Sequence, residues 1–207
     1  MVDALRLSFV VAGLATVLVG VLGTALGYAL AKLRFPGRGF VDALVTLPLV
    51  LPPTVVGYYL LALLGRGGWD LLFTPQAAVI AAAIMALPIM VRTARAAIEG
   101  VDPVYEQAAY TLGKSPVATF VLVTLPLAWR GLLAGLVLSF ARALGEFGAT
   151  LMVAGNIPGR TQTMPLAIYE ATQSGDDALA RTLVAVLTLG AFTVLVVVNR
   201  LNRGRPW

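Results

Sequence analysis

Cysteine and histidine are both absent from the 207 residues. That excludes a disulfide framework, thiol catalysis and any metal centre built on imidazole or thiolate. Charge is scarce too: 12% of the residues are Asp, Glu, Lys or Arg. The hydrophobic share is 59%, against the about 45–50% of a soluble domain. With a mean hydropathy of +0.89, this is the composition of an integral membrane protein. Acidic residues are the scarcer sign, ten against fifteen basic ones. In a soluble chain that excess would suggest nucleic acid as a partner. In a membrane chain it follows from Lys and Arg held in cytoplasmic loops, so the expected surroundings are the lipid bilayer and no nucleic acid. Internal repeats and low-complexity linkers are lacking as well, and the chain reads as one membrane domain over 1–207.

What the sequence does have is long apolar runs. Five of them, at about 7–33, 40–64, 76–98, 127–154 and 179–198, are long enough to cross a bilayer with some tilt or bend. The first exceeds the ~7–15 residues of a signal-peptide core and reads as a retained span. The second contains LPLVLPPTVVGYY, in which Pro48, Pro52 and Pro53 break the hydrogen-bond ladder, and Pro88 kinks the third. Such breaks persist at membrane depth only where they are buried in protein or line a water-filled cavity. These four prolines are therefore candidates for a pathway. Trp69 reads as an interfacial anchor in the loop from Gly65 to Pro75. The stretch 155–177 is polar and turn-rich, with a short amphipathic piece around Met164 to Ala171, and 199–207 is a basic tail.

The connection 99–126 differs from the other loops because it carries a helix of its own. Asp102-Pro103 is a helix start and Gly113 the matching stop. Between them Val104, Tyr105, Ala108, Ala109 and Leu112 form an apolar stripe of small-residue character at helical spacing. About ten residues cannot cross a bilayer, so this helix is expected to dock in a groove on another protein. Ser115-Pro116 repeats the start signal, and Leu125-Pro126 is expected to interrupt the pattern before the fourth run. Ala108 to Ser115, AAYTLGKS, fits a loose nucleotide-binding pattern. A phosphate-cradling loop needs a strand before it, a flexible turn, and Lys-Ser opening a helix. Here helix formers precede Gly113, and Pro116 follows, so any ATP must be hydrolysed on another chain.

If this connection faces the cytoplasm, that side carries Lys32, Arg34, Arg38, Arg92, Arg95, Lys114, Arg200, Arg203 and Arg205, and the other side Arg6, Arg66, Arg160 and Arg181. That bias predicts the N-terminus outside and the C-terminus inside, the opposition of ends that five spans require. In the fourth run Arg142 and Glu146 lie four apart and can pair. Charge at such depth marks either an interior surface along a pathway or a mutually neutralised pair at a helix interface; the residues leave both open. Phe147 and Thr150 stand beside them in GEFGAT. Thr150, Asn156, Thr161 and Thr163 offer neutral donors to a passing anion, although for the last three solvated loop polarity is the plainer reading.

Gln107-Ala108-Ala109, then Gly113, then Val123-x-Leu125-Pro126 resembles the cytoplasmic loop signature of ABC-importer permeases: Glu-Ala-Ala, three residues, Gly, nine residues, Ile-x-Leu-Pro. The departures are Gln107, with Glu106 beside it, at the usual Glu position, and Val123 for Ile. FPGRGFVDALVTLPLVLPPTVVGYYLL and FARALGEFGATLMVAGNIPGRTQTMPLAIY further resemble the permease subunits of molybdate importers, and less closely their tungstate and sulfate or thiosulfate relatives. The likeness covers most of Phe35 to Tyr169.

It implies an all-α type I ABC importer permease fold, five transmembrane helices with a cytoplasmic coupling helix, in a bacterial or archaeal cytoplasmic (inner) membrane. It implies Glu106, Gln107, Ala108, Ala109, Leu112, Gly113, Leu125 and Pro126 as the ATPase-coupling set. Pro48, Pro52, Pro53, Pro88, Arg142, Glu146, Phe147 and Thr150 form the candidate pathway or gate. The implied partners are two copies of an ABC ATPase, a periplasmic or extracellular oxyanion-binding protein, and a second copy of the chain. The chain itself would be no enzyme and bind no cofactor, ATP and Mg residing on the ATPase. A stand-alone secondary transporter is the competing class. It would need inverted repeats or a series of protonatable groups, and only Glu146 is acidic at depth.

Overall fold

Inside hydrocarbon every backbone N–H and C=O has to be satisfied by the protein, and a helix does this within one segment. The computed structural model describes residues 2–66 and 70–203, and among them it holds helices and no strand. Trp69, Arg205 and the side chains of Arg200 and Arg203 lie outside the described residues.

In chain order the helices are α1 (Val2–Lys32), α2 (Arg38–Val50), α3 (Pro53–Arg66), α4 (Pro75–Glu99), α5 (Pro103–Thr111) and α6 (Pro116–Thr119). A π turn over Phe120–Thr124 leads into α7 (Leu125–Leu144), and α8 (Gly148–Ala154), α9 (Met164–Gln173) and α10 (Asp177–Arg203) follow. Among the described residues four helical stretches are long and apolar enough to cross a membrane: Val2–Lys32, Pro75–Glu99, Pro116–Leu144 and Asp177–Val196. The fifth apolar run is the pair α2 and α3.

The core is organised around α4, which packs between α1 and α7. Apolar side chains gain nothing from leaving lipid, so helices in a bilayer associate through close packing, which small residues permit. Two small-xxx-small pairs supply it. A Cβ at Gly23 on α1 would lie 2.6 Å from Met90, and one at Gly27 would lie 2.8 Å from Ala94. On α7, a Cβ at Gly131 would lie 2.5 Å from Ala97, and one at Gly135 would overlap Thr93. The facing stripe of α4 is itself short-chained, with Ala77, Ala78, Ala81, Ala82, Ala86 and Ala94 each fully buried. Thr74 caps this helix, its Oγ1 accepting the Ala77 N–H, and Pro75 opens the first turn.

The break expected in the second run falls at Leu51-Pro52, where the chain turns by 116° between α2 and α3. Pro52 and Pro53 both lack the N–H that a continuing ladder needs. The fourth run does not begin after an interruption at Leu125-Pro126. Pro116–Leu144 is one stretch, because the π turn over Phe120–Thr124 widens the helix just where Pro126 cannot donate to the turn before it. Nor does the run continue to 154: α7 stops at Leu144, Gly145 caps it, and α8 is a separate seven-residue helix. Pro88, expected to kink the third span, sits buried inside an α4 that stays one helix from Pro75 to Glu99.

Candidate functional site: the capped loop helix and two facing helix breaks

The caps of α5 are those its sequence requires. Asp102 Oδ1 accepts the Val104 N–H at 2.9 Å, with Pro103 in the first turn where no N–H is needed. At the other end Gly113 takes φ +76°. Its N–H donates to the Tyr110 carbonyl at 2.9 Å and the Lys114 N–H to the Ala109 carbonyl at 3.1 Å. That pair of bonds is a Schellman motif, and its left-handed residue favours glycine.

The helix has two unlike faces. Val104, Tyr105, Gln107, Ala108 and the flanking Leu112 are exposed, Leu112 at 79%. Ala109 is buried, so the predicted apolar stripe is divided and Ala109 belongs to the inner face. Glu106 points inward too. Its Oε2 is 2.8 Å from Lys32 Nζ at the end of α1, and its Oε1 accepts a hydrogen bond of 2.7 Å from Thr124 Oγ1 in the π turn. Leu125 is half-buried against the core and Pro126 is exposed where α7 begins.

The second set of candidates converges where the two broken stretches meet. A Cβ at Gly148, the first residue of α8, would lie 3.0 Å from the Cβ of Pro53, the first residue of α3. One helix start therefore sits on the other. Just before Gly148, Glu146 is buried, only 3% exposed. Its Oε2 meets Arg142 Nη1 at 2.7 Å, and its Oε1 accepts the Ala149 N–H at 2.9 Å. Glu146 thus neutralises Arg142 and satisfies an orphan donor at the start of α8. Phe147 is half-buried and packs against Tyr169 with ring centroids 5.2 Å apart; Thr150 is buried one turn into α8. Pro52 and Pro53 are exposed, Pro48 is half-buried within α2, and Pro88 stays within α4.

The polar stretch after α8 departs from its plainer reading. Thr161 and Thr163 are buried, not solvated. Thr161 Oγ1 accepts the Ile157 N–H at 3.1 Å and lies 3.5 Å from the Gly155 carbonyl, to which it donates. Asn156 Nδ2 donates to Glu170 Oε2 at 2.8 Å, and Gln162 Nε2 donates to the same oxygen. This segment is a folded turn held to α9.

Sequence reasoning missed two features. Lys32 and Thr124 were visible only as a loop charge and a span residue; nothing in spacing links them to Glu106, 74 and 18 positions away. A charged seam between α2 and α4 was missed as well. Arg95 pairs with Asp42 at 3.3 Å and with Glu99 at 2.8 Å, Arg38 lies 3.9 Å from Glu99, and Arg92 donates to Thr46 at 3.3 Å. Asp42, Arg92, Arg95 and Glu99 line a crevice of about 270 Å³. Among the described residues no group of three or more His, Cys, Asp or Glu is placed to hold a metal ion. The arrangement offers a docking face, a proline-broken wall and internally neutralised charge.

Comparison with known proteins agrees with this geometry. The family described as binding-protein-dependent transport system inner membrane component matches residues 20–204. The chain is 42% identical to the molybdenum transport system permease protein ModB of Escherichia coli (strain K12), over 94% of this chain and 90% of that one. It is 42% identical to the putative molybdenum transport system permease protein YvgM of Bacillus subtilis (strain 168), with the same two shares covered. It is 34% identical to the sulfate transport system permease protein CysT of Salmonella typhimurium, over 97% of this chain and 76% of the relative. Its fold is that of a chain in the inward-facing MetNI methionine ABC transporter, with TM-score 0.74 at 18% identity over 97% of this chain and 92% of the other. A bacterial ABC transporter that imports the acidic polysaccharide alginate also shares it, with TM-score 0.79 at 15% identity over 98% and 78%. With a family match over most of its length and relatives this similar, the chain belongs to the binding-protein-dependent transport system inner membrane components.

Proposed function

We propose that this chain is the permease subunit of an ATP-driven importer that carries molybdate into the cytoplasm, with ATP hydrolysed on a separate ATPase chain. The observation that carries the reading is α5: a nine-residue helix, capped at both ends, that cannot span a bilayer and holds Val104, Tyr105 and Leu112 outward. Such a face fits a groove on a soluble partner. Molybdate as the cargo rests on the relatives named for molybdenum transport, which are more similar to this chain than the sulfate permease is.

The working assembly is two copies of this chain, two ATPases docked on the two α5 helices, and an external binding protein that delivers the oxyanion. A second copy is supported by α2, which has no buried residue within one chain and turns Phe40, Leu44 and Leu47 outward at helical spacing. Closure of the ATPases moves α5, and rocking of the helices switches access from outside to inside. The pathway is placed along the wall of Pro52, Pro53 and the start of α8. A conducting site has to release what it binds, and the Arg142 guanidinium is already engaged by Glu146. Selectivity then belongs to the binding protein. The N-terminus lies outside and the C-terminus inside. Lys32, Arg38, Arg92, Arg95 and Lys114 then gather on the cytoplasmic side, as the positive-inside rule requires.

Uptake of labelled molybdate in cells with and without this chain tests the reading, with excess tungstate or sulfate as competitor and an ATPase-dead partner as control. Uptake that needs this chain and the live ATPase, and that yields to tungstate but not sulfate, is the expected result. Competition by sulfate moves the cargo to that of the sulfate relatives. Uptake indifferent to the dead ATPase removes the importer reading and restores a secondary transporter.

A further inference from the structure

We propose that Glu106 is a positioning residue that locks the coupling helix to the inner end of α1, and that α1 carries the displacement of α5 to the outer face as a rigid strut. The proposal rests on the importer reading above and adds to it a route within this chain.

Both oxygens of the Glu106 carboxylate are used, and on different elements. One holds Lys32 Nζ at 2.8 Å, the other takes the Thr124 hydroxyl at 2.7 Å, and the Glu106 side chain is only 13% exposed. Thr124 is itself buried and belongs to the π turn that leads into α7. One turn before Lys32, Tyr28 packs edge-on against Phe120 of the same π turn, with centroids 4.6 Å apart. So α5 is tied by one side chain to α1 and to the entrance of α7, on the face opposite the one it presents outward.

From Lys32, α1 runs unbroken for 31 residues to Val2, a length of about 46 Å at helical rise. Its far end is engaged as specifically as its near end. Ser8 Oγ accepts the Met164 N–H at 2.7 Å in a buried contact, 156 positions away in sequence. Ala4 packs in a small core with Met164, Ala171 and Leu183. That core joins α9 and α10, beside the folded turn that follows α8. Between the two ends the strut is seated on α4 at Gly23 and Gly27. Energetic coupling between distant sites is carried by hydrogen-bond networks and rigid secondary elements, and a continuous helix with a hydrogen-bonded latch at each end is such an element.

The test uses the complex of this chain with its ATPase and binding protein in proteoliposomes, measuring labelled molybdate uptake and phosphate release from the same vesicles. The variants are Glu106→Gln, which keeps an acceptor for Thr124, Lys32→Met, which keeps the apolar stem, and the exchanged pair Lys32→Glu with Glu106→Lys. The expected result is that either single variant still retains the ATPase but carries about fivefold fewer ions per ATP, the low end of ordinary coupling between sites. The exchanged pair recovers most of that loss, which a contact needed only for folding would not do. The link is overturned if either single variant keeps a wild-type ratio of ions to ATP, or if the exchanged pair is no better than the singles. If the unaltered complex shows no ATP-dependent uptake at all, the importer reading fails and the link fails with it.

Discussion

Replacing Glu146 should reveal how the two halves of the broken region hold each other. Its carboxylate makes two contacts, to Arg142 at 2.7 Å and to the Ala149 N–H at 2.9 Å, and they are separable by substitution. Glu146→Gln keeps an oxygen for Ala149 and loses the charge. Glu146→Leu loses both and leaves the Arg142 guanidinium facing an apolar neighbour. Removing one partner of a fully buried pair costs about 3–5 kcal/mol. The Arg142 side chain is 27% exposed, so solvent screens part of that, and about 3 kcal/mol is expected for Leu. The Gln variant should keep about 1 kcal/mol of it through the retained cap. Thermal unfolding of the purified protein in lipid nanodiscs would rank wild type above Gln and Gln above Leu. The decisive variant is Arg142→Leu with Glu146→Leu, which removes the stranded charge and should be more stable than Glu146→Leu alone. A double variant that unfolds below the single, or a Leu single as stable as wild type, refutes the view that this pair neutralises itself structurally.

Two further outcomes follow from the same geometry. Gly27→Leu places a side chain where even a Cβ would be 2.8 Å from Ala94, so α1 has to separate from α4; a loss of about 1–3 kcal/mol is expected, read as a lower unfolding temperature in the same nanodiscs. Leu112→Glu puts charge on the exposed apolar residue that ends α5 and, on the proposed docking, should abolish copurification of the ATPase from detergent while leaving insertion intact, since an apolar anchor in a docking face is commonly worth about 2 kcal/mol or more.

How much was legible in the sequence depended on whether the signal was local. The caps of α5 are local chemistry: Asp102 and Pro103 at one end and Gly113 at the other were readable, and each performs the role its type permits. The break at Pro52-Pro53 was readable as a break, but its 116° turn was not, because the angle is set by packing of α3 on α8 at Gly57, Met152 and Ala149. The end of α7 at Leu144 was missed for a related reason. Gly145 and Gly148 look like the small residues that bring two spans together, and here they serve a helix end and a contact with Pro53. Pro126 read as an interruption, and the π turn before it absorbed the missing donor. The inward turn of Glu106 was out of reach, since no local pattern distinguishes a side chain meant for a partner protein from one meant for Lys32.

The charged seam between α2 and α4 has a consequence in time. A chain leaves the ribosome from its N-terminus at ~5–20 residues per second. Arg38 opens α2, and its partner Glu99 closes α4 61 positions later. For roughly 3–12 seconds of synthesis, Arg38 therefore exists without the carboxylate on α4 that it meets in the folded chain. The order of arrival is fixed as well. Arg92 and Arg95 emerge before Glu99, so Thr46 and Asp42 on α2 find their partners first and Arg38 finds its own last. The seam closes along α2 from Thr46 toward Arg38, and α3, whose packing partner α8 begins only at Gly148, is secured later still.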